Sequence, residues 1–156
     1  RCRIDVPFDK KRICGWHQEV FYYVPKSNFL QTWAPLITDV TLENGALEVC
    51  IGSHKEGFAK QDQMLKEDVH YKYIVNDEIV KKYQPKRLEM KLGQFLIFSS
   101  KLIHRSGFNT SKQVRYSLVG IYHNLDNEAF VPPKLVVENR NSSNLSYYDE
   151  IFKPNT

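Results

Sequence analysis

The chain has 156 residues, 42% of them hydrophobic and 13% aromatic, with 22 basic against 18 acidic side chains and a net charge of +4. That length suits one domain with a true apolar core, and the composition excludes a disordered chain. No apolar run approaches the ~20 residues needed to span a bilayer, and the basic residues are scattered with no stripe, so neither a membrane nor a nucleic acid is an expected partner.

Taken in chain order, the pattern is one of short β segments. Apolar and β-branched runs predict strands over Arg3–Val6, Trp16–Tyr23, Leu30–Thr41, Leu47–Ile51, His70–Ile74, Leu88–Lys91, Gln94–Ser99 and Gln113–His123. Turn signals separate them: Pro25 to Asn28, Glu43-Asn44-Gly45, Gly52-Ser53, Gly93, and Gly107-Phe108-Asn109. Only Lys60–Glu67 and Asp77–Lys82 read as helix. From Pro132 to Thr156 the chain is polar, with Tyr147, Tyr148, Ile151 and Phe152 able to dock this tail (132–156) on the body.

Many short strands at regular spacing imply an antiparallel sandwich or barrel. The expected fold is all-β dominated, a double-stranded β-helix (jelly roll, cupin-like) with few short helices, whose mouth can hold a ligand or metal. Residues 1–156 read as a single core domain. Because the chain opens on Arg1 and not on methionine, a natural N-terminal region is expected to precede it. Cys2, Cys14 and Cys50 are odd in number and widely spaced, which argues against a disulfide framework or a cysteine-rich zinc site. No signal-peptide core is visible, and a cytoplasmic location is the expectation.

The stretch "CGWHQEVFYY" places His17 and Glu19 two residues apart. On a strand they share a face while Gln18 points away. Alone, such a pair is more often structural than metal-binding. The second informative stretch is "LIFSSKLIHRSGFNTSKQVRYSLVGIYH". Read as a hairpin turning between Asn109 and Thr110, it sets His104 opposite Arg115 and Ser106 opposite Gln113. His104, Ser106 and Arg115 would then lie on one face, directly opposed residues having Cβ atoms roughly 5 Å apart.

Two histidines and one carboxylate make the facial triad of non-haem Fe(II), which leaves open positions for dioxygen chemistry. An arginine nearby offers a planar, always-charged fork for the far carboxylate of a 2-oxo diacid, and a serine can add a hydrogen bond. His54 reads as a turn residue, and His70 and His123 as strand histidines, His123 on the same face as Arg115. Trp16, Tyr22, Tyr23 and Trp33 are core and pocket walls, with Tyr22 and Tyr23 as candidate substrate contacts.

The stretches "WHQE", "TWAPLITDVTLENGALEVCIGSHKEG", "GQFLIFSSKLIHRSG" and "VRYSL" resemble the phytanoyl-CoA dioxygenase family of Fe(II)- and 2-oxoglutarate-dependent oxygenases. The likeness runs roughly from Trp16 to His123. It implies that His17, Glu19 and His104 bind iron, that Arg115 and Ser106 hold 2-oxoglutarate, and that Trp33 lines the pocket. The implied activity is a dioxygenase that uses O₂ to hydroxylate a small-molecule substrate and releases succinate and CO₂. The chain departs from the family pattern in three places. Glu19 stands where aspartate is usual, Ile51 replaces the proline before the Gly-Ser-His turn, and the helical region usual ahead of the core is expected to belong to the N-terminal part not included in this sequence.

Two rival readings fit these residues less well. A metal-dependent cupin-type sugar isomerase or epimerase has no use for Arg115. A catalytically inactive jelly-roll ligand-binding domain would have lost part of the ligand set. Neither the primary substrate nor the oligomeric state is written in these motifs.

Overall fold

The computed structural model describes residues 1–19, 29–59, 61–63 and 73–124. Among these the strands are β1 (Cys2–Asp5), β2 (Phe29–Pro35), β3 (Leu47–Val49), β4 (Gln61–Gln63), β5 (Tyr73–Val75), β6 (Lys86–Leu88), β7 (Leu96–Ser99), β8 (His104–Ser106) and β9 (Arg115–His123), with one short helix α1 (Asp77–Lys81). A four-stranded sheet runs β1-β9-β2-β7, a three-stranded sheet runs β6-β3-β8, and β4 pairs with β5. Every strand pairing is antiparallel.

The alternation in β2 explains how the larger sheet finds its inner face. Phe29, Gln31, Trp33 and Pro35 are buried, while Leu30 is exposed and Thr32 and Ala34 are intermediate. Period-two alternation of this kind gives one buried and one solvated face. The smaller sheet turns Leu47 and Val49 inward, and these pack with Trp33, Val40, Ala46, Met90, Phe98 and Leu102 in a core filling the space between the sheets. That is the jelly-roll sandwich expected. A second cluster, Trp16, Cys50, Val75, Val80 and Ile103, packs beside it.

Two glycines explain the spacing of the Glu43-Asn44-Gly45 and His104-Arg105-Ser106-Gly107 motifs. Gly45 has a φ of +94°, and a Cβ there would sit 2.6 Å from the Gly107 carbonyl oxygen. A Cβ on Gly107 would collide with the Ala46 carbonyl oxygen, to which the Gly107 N–H donates at 3.0 Å. The two loops therefore approach backbone to backbone, which holds the ends of β3 and β8 in register.

Three expectations are corrected. Strand β8 pairs with β3 (Val49 opposite His104, Leu47 opposite Ser106), whereas β9 pairs with β1 and β2. The hairpin facing His104 to Arg115 does not form, and residues 107–114 cross from one sheet to the other. Over 60–67, the described residues 61–63 are strand and not helix, because they find a partner in β5. Trp16–Tyr23 is not a continuous strand either: in its described part His17 makes a single bridge to His104. Residues 20–28, 60, 64–72 and 125–156, which include Tyr22, Tyr23, His70 and the polar tail, lie outside the described residues. No described helix is long and apolar enough to cross a membrane.

Candidate metal centre

His17 and His104 exchange both backbone hydrogen bonds, His17 N–H to His104 O at 3.0 Å and His104 N–H to His17 O at 3.1 Å. Directly opposed residues project to the same face, so the two rings meet with centroids 4.4 Å apart. The ladder breaks after one rung. The carbonyl of Leu102 is taken by His104 Nδ1 at 2.9 Å, and the N–H of Glu19 goes to Ser100 O at 3.1 Å. This break folds Glu19 back over the histidines. Its Oε1 lies 3.3 Å from His17 Nε2 and 3.7 Å from His104 Nε2.

Donors at right angles around an ion with ~2.1 Å bonds stand about 3 Å apart. The three ligand atoms all lie within 4.8 Å of one another, and the residues are 3%, 8% and 3% exposed. Both imidazoles anchor Nδ1 to a backbone carbonyl, His17 to Gly15 O at 2.7 Å and His104 to Leu102 O at 2.9 Å. That leaves Nε2 of each for a metal, the arrangement in which an outer hydrogen bond sets the ring's orientation. Two imidazoles and one carboxylate fit divalent iron with open positions.

Electrostatics in the metal-free chain follow from this geometry. Burial opposes charge on His17, but Cys14, whose Sγ is 3.2 Å from Nδ1, and Glu19 outweigh it and raise the ring's pKa well above its ordinary value. At Glu19 burial works upward, and the His104 and His17 rings outweigh it, holding the carboxyl well below the usual range. Burial and the neighbouring His17 charge lower His104. A proton on His17 thus stands in for part of the charge a metal would bring.

Gln18 is the residue whose role the strand reading passed over. It points away from the metal face, as period-two geometry requires, and is fully buried. Its Nε2 donates to Gly57 O at 2.9 Å and Lys101 O at 2.6 Å, and its Oε1 accepts from Ala59 N–H at 3.0 Å. Two backbone segments, at 57–59 and at 101, are thereby clamped behind His17 and Glu19.

Arg115 is the largest side chain that is fully buried, at 0% exposure. Its guanidinium stands 5.3 Å from the centre of the Trp33 ring. Burial lowers its pKa against the pull of Asp5. Nη2 is 2.7 Å from Asp5 Oδ2, yet neither it, Nε nor Nη1 makes a hydrogen bond to any described residue. Asp5 is thus the ion-pair partner of Nη2, while Nε and Nη1 are buried donors of the kind that mark a site for an acceptor.

Other orphaned polar atoms share the inner face: Trp33 Nε1, Ser117 Oγ and Gln31 Oε1, with Ser100 Oγ nearby. Gln31 Nε2 meanwhile donates to Glu19 Oε1 at 3.3 Å. Ser117 and Gln31 were absent from the sequence-based site. Ser117, two residues beyond Arg115 on one strand, was findable by the same spacing that joined His17 to Glu19. Ser106 is buried on the smaller sheet, across the sandwich from the strand that carries Arg115. It lines a small recess of about 10 Å³ with Arg3 and Asp5. His54 is exposed in a single helical turn over Ser53–Glu56, and His123 packs at 5.0 Å on Phe29.

Comparison with known proteins follows the same lines. Residues 7–117 match the family described as Phytanoyl-CoA dioxygenase (PhyH). The chain is 29% identical over 135 residues to Phytanoyl-CoA dioxygenase 1 of Oryza sativa subsp. japonica, covering 79% of this chain and 46% of that protein. Among solved structures, EvdO2 from Micromonospora carbonacea var. aurantiaca complexed with 2-oxoglutarate superposes with a TM-score of 0.62 at 21% identity, over 81% of this chain and 53% of that one. SnoK, a non-heme alpha-ketoglutarate-dependent carbocyclase from nogalamycin biosynthesis, gives 0.58 at 19% identity, over 79% and 47%. The chain therefore spans about half the length of the relatives it matches. With the family match covering most of its length and the jelly roll shared with these oxygenases, the chain belongs to the phytanoyl-CoA dioxygenase family.

Proposed function

We propose that this chain is the catalytic core of an Fe(II)- and 2-oxoglutarate-dependent oxygenase that hydroxylates a small-molecule substrate. The observation that carries the reading is the convergence of His17, Glu19 and His104 beside a core that also buries Arg115, ion-paired to Asp5 through Nη2 and with Nε and Nη1 meeting no described acceptor. His17, Glu19 and His104 would hold the iron, which when bound supplies activation of O₂ coupled to loss of CO₂ from 2-oxoglutarate, with succinate as co-product. Arg115 would take the distal carboxylate of the co-substrate through its fork. The Trp33 ring beneath it walls that end of the pocket, and Ser106 is the candidate further donor. Burial of all these groups excludes water from the reacting end.

A metal-dependent epimerase that uses no co-substrate has no role for a buried arginine whose Nε and Nη1 meet no described acceptor. The test is an anaerobic titration of the full chain with Fe(II) and then 2-oxoglutarate. A weak visible charge-transfer band is expected, followed in air by a substrate screen scored by succinate release and product mass. Full iron loading with no band on adding 2-oxoglutarate would overturn the reading.

A further inference from the structure

Asp5 sits opposite Arg115 in the β1–β9 register, and its carboxylate reaches the buried guanidinium at 2.7 Å. It does not belong to Arg115 alone. Arg3 Nε donates to both Asp5 oxygens, at 3.2 and 3.1 Å. The Asp5 carboxylate is thus shared between two arginines, while Nε and Nη1 of Arg115 meet no described acceptor. The Asp5 backbone is pinned as well, its carbonyl accepting from Asn109 Nδ2 at 2.9 Å. Beside it lies a small recess of about 10 Å³ lined by Arg3, Asp5, Ser106 and Asn109.

We infer that Asp5 is a built-in competitor for the co-substrate's distal carboxylate at Arg115, and that it sets how tightly this chain takes a 2-oxo diacid. The inference rests on the reading of Arg115 as the co-substrate's arginine. An incoming carboxylate supplies the bidentate acceptor that Arg115 lacks, but it must share one cation with a second anion. Like charges a few ångströms apart at a partly buried site oppose binding by an amount worth about tenfold in affinity. Arg3 relieves part of this by holding Asp5 through both oxygens.

The experiment is calorimetric titration of the Fe(II)-loaded full chain under anaerobic conditions, with 2-oxoglutarate and with 2-oxobutyrate, which lacks the distal carboxylate. Asp5→Asn is expected to bind 2-oxoglutarate about tenfold more tightly and to leave 2-oxobutyrate and iron affinity unchanged. Asp5→Ala gives the same readout if the asparagine variant does not fold. An unchanged or weakened 2-oxoglutarate affinity, or an equal shift for both acids, overturns the inference and leaves Asp5 a structural partner of Arg115. Arg115→Ala separates the two ideas. If that variant binds 2-oxoglutarate as the parent does, it is the co-substrate reading that fails; if it loses binding while Asp5→Asn changes nothing, only the role of Asp5 fails.

Discussion

His17 and His104 are joined as a hydrogen-bonded antiparallel pair, each N–H donating to the other's carbonyl, and this bridge brings two sequence-remote rings to one ion-sized space. The backbone supplies the pairing, so removing either ring leaves the bridge intact. His17→Ala and His104→Ala should both fold and both lose Fe(II) binding, each having removed one of three protein donors. Calorimetry with Fe(II) or a substitute divalent ion reads the loss. Glu19→Asp should keep a measurable site, and Glu19→Ala should not.

Metal uptake should release a proton. The pKa of His17 is raised in the metal-free chain by Cys14 and Glu19 against burial, so at neutral pH the ring is protonated and the ion must displace that proton. Below the raised pKa, apparent affinity therefore falls as pH falls, by about tenfold per unit. Titration in buffers of differing ionisation enthalpy measures about one proton released per ion at neutral pH. The metal-free chain has the same sign at His17: the proton's stabilising effect is full below the ordinary imidazole pKa and is lost as pH rises through the raised value.

Arg115→Ala should raise the 2-oxoglutarate requirement about 10- to 100-fold, the weight of a charge-assisted bidentate contact. Iron affinity should stay nearly intact, because Arg115 makes no contact with the three ligands. The fold should survive as well, since Asp5 keeps Arg3 as its partner. Arg115→Lys should recover only part of the affinity, a point charge lacking the planar fork. Anaerobic binding titrations distinguish the three proteins.

Gln18→Leu should be the costliest single change in the segment that carries His17 and Glu19. It leaves the carbonyls of Gly57 and Lys101 and the N–H of Ala59 without their present partner. Each such buried group costs about 1–3 kcal/mol when left unsatisfied. A loss of about 3 kcal/mol in unfolding free energy is expected. Metal affinity should fall alongside, because the clamp holds the chain on either side of Gln18. Denaturant melts with and without Fe(II) measure both.

What the sequence by itself determined was local. The two-residue spacing of His17 and Glu19, the left-handed glycines at 45, 52 and 93, and helix α1 with its Asn76 cap accepting from the Glu78 N–H at 2.8 Å are all consequences of a few neighbouring residues. Residue chemistry alone also put two imidazoles, a carboxylate and an arginine on one list. Tertiary structure decided who meets whom. The segment 107–114 reads as a hairpin turn, but Asn109 is buried and bridges Asp5 O and Gln113 O through its amide while accepting from Ser111. That network carries the chain across the sandwich, so β8 joins β3 and β9 joins β1. Residues 61–63 became strand for the same kind of reason, a partner in β5 outweighing local preference. Pairing is settled by which apolar faces can be buried together and which backbone groups remain to be satisfied, and those are properties of the assembled sheets. The partnership of Arg115 with Asp5 belongs to that level, because only the β1–β9 register sets the two residues side by side.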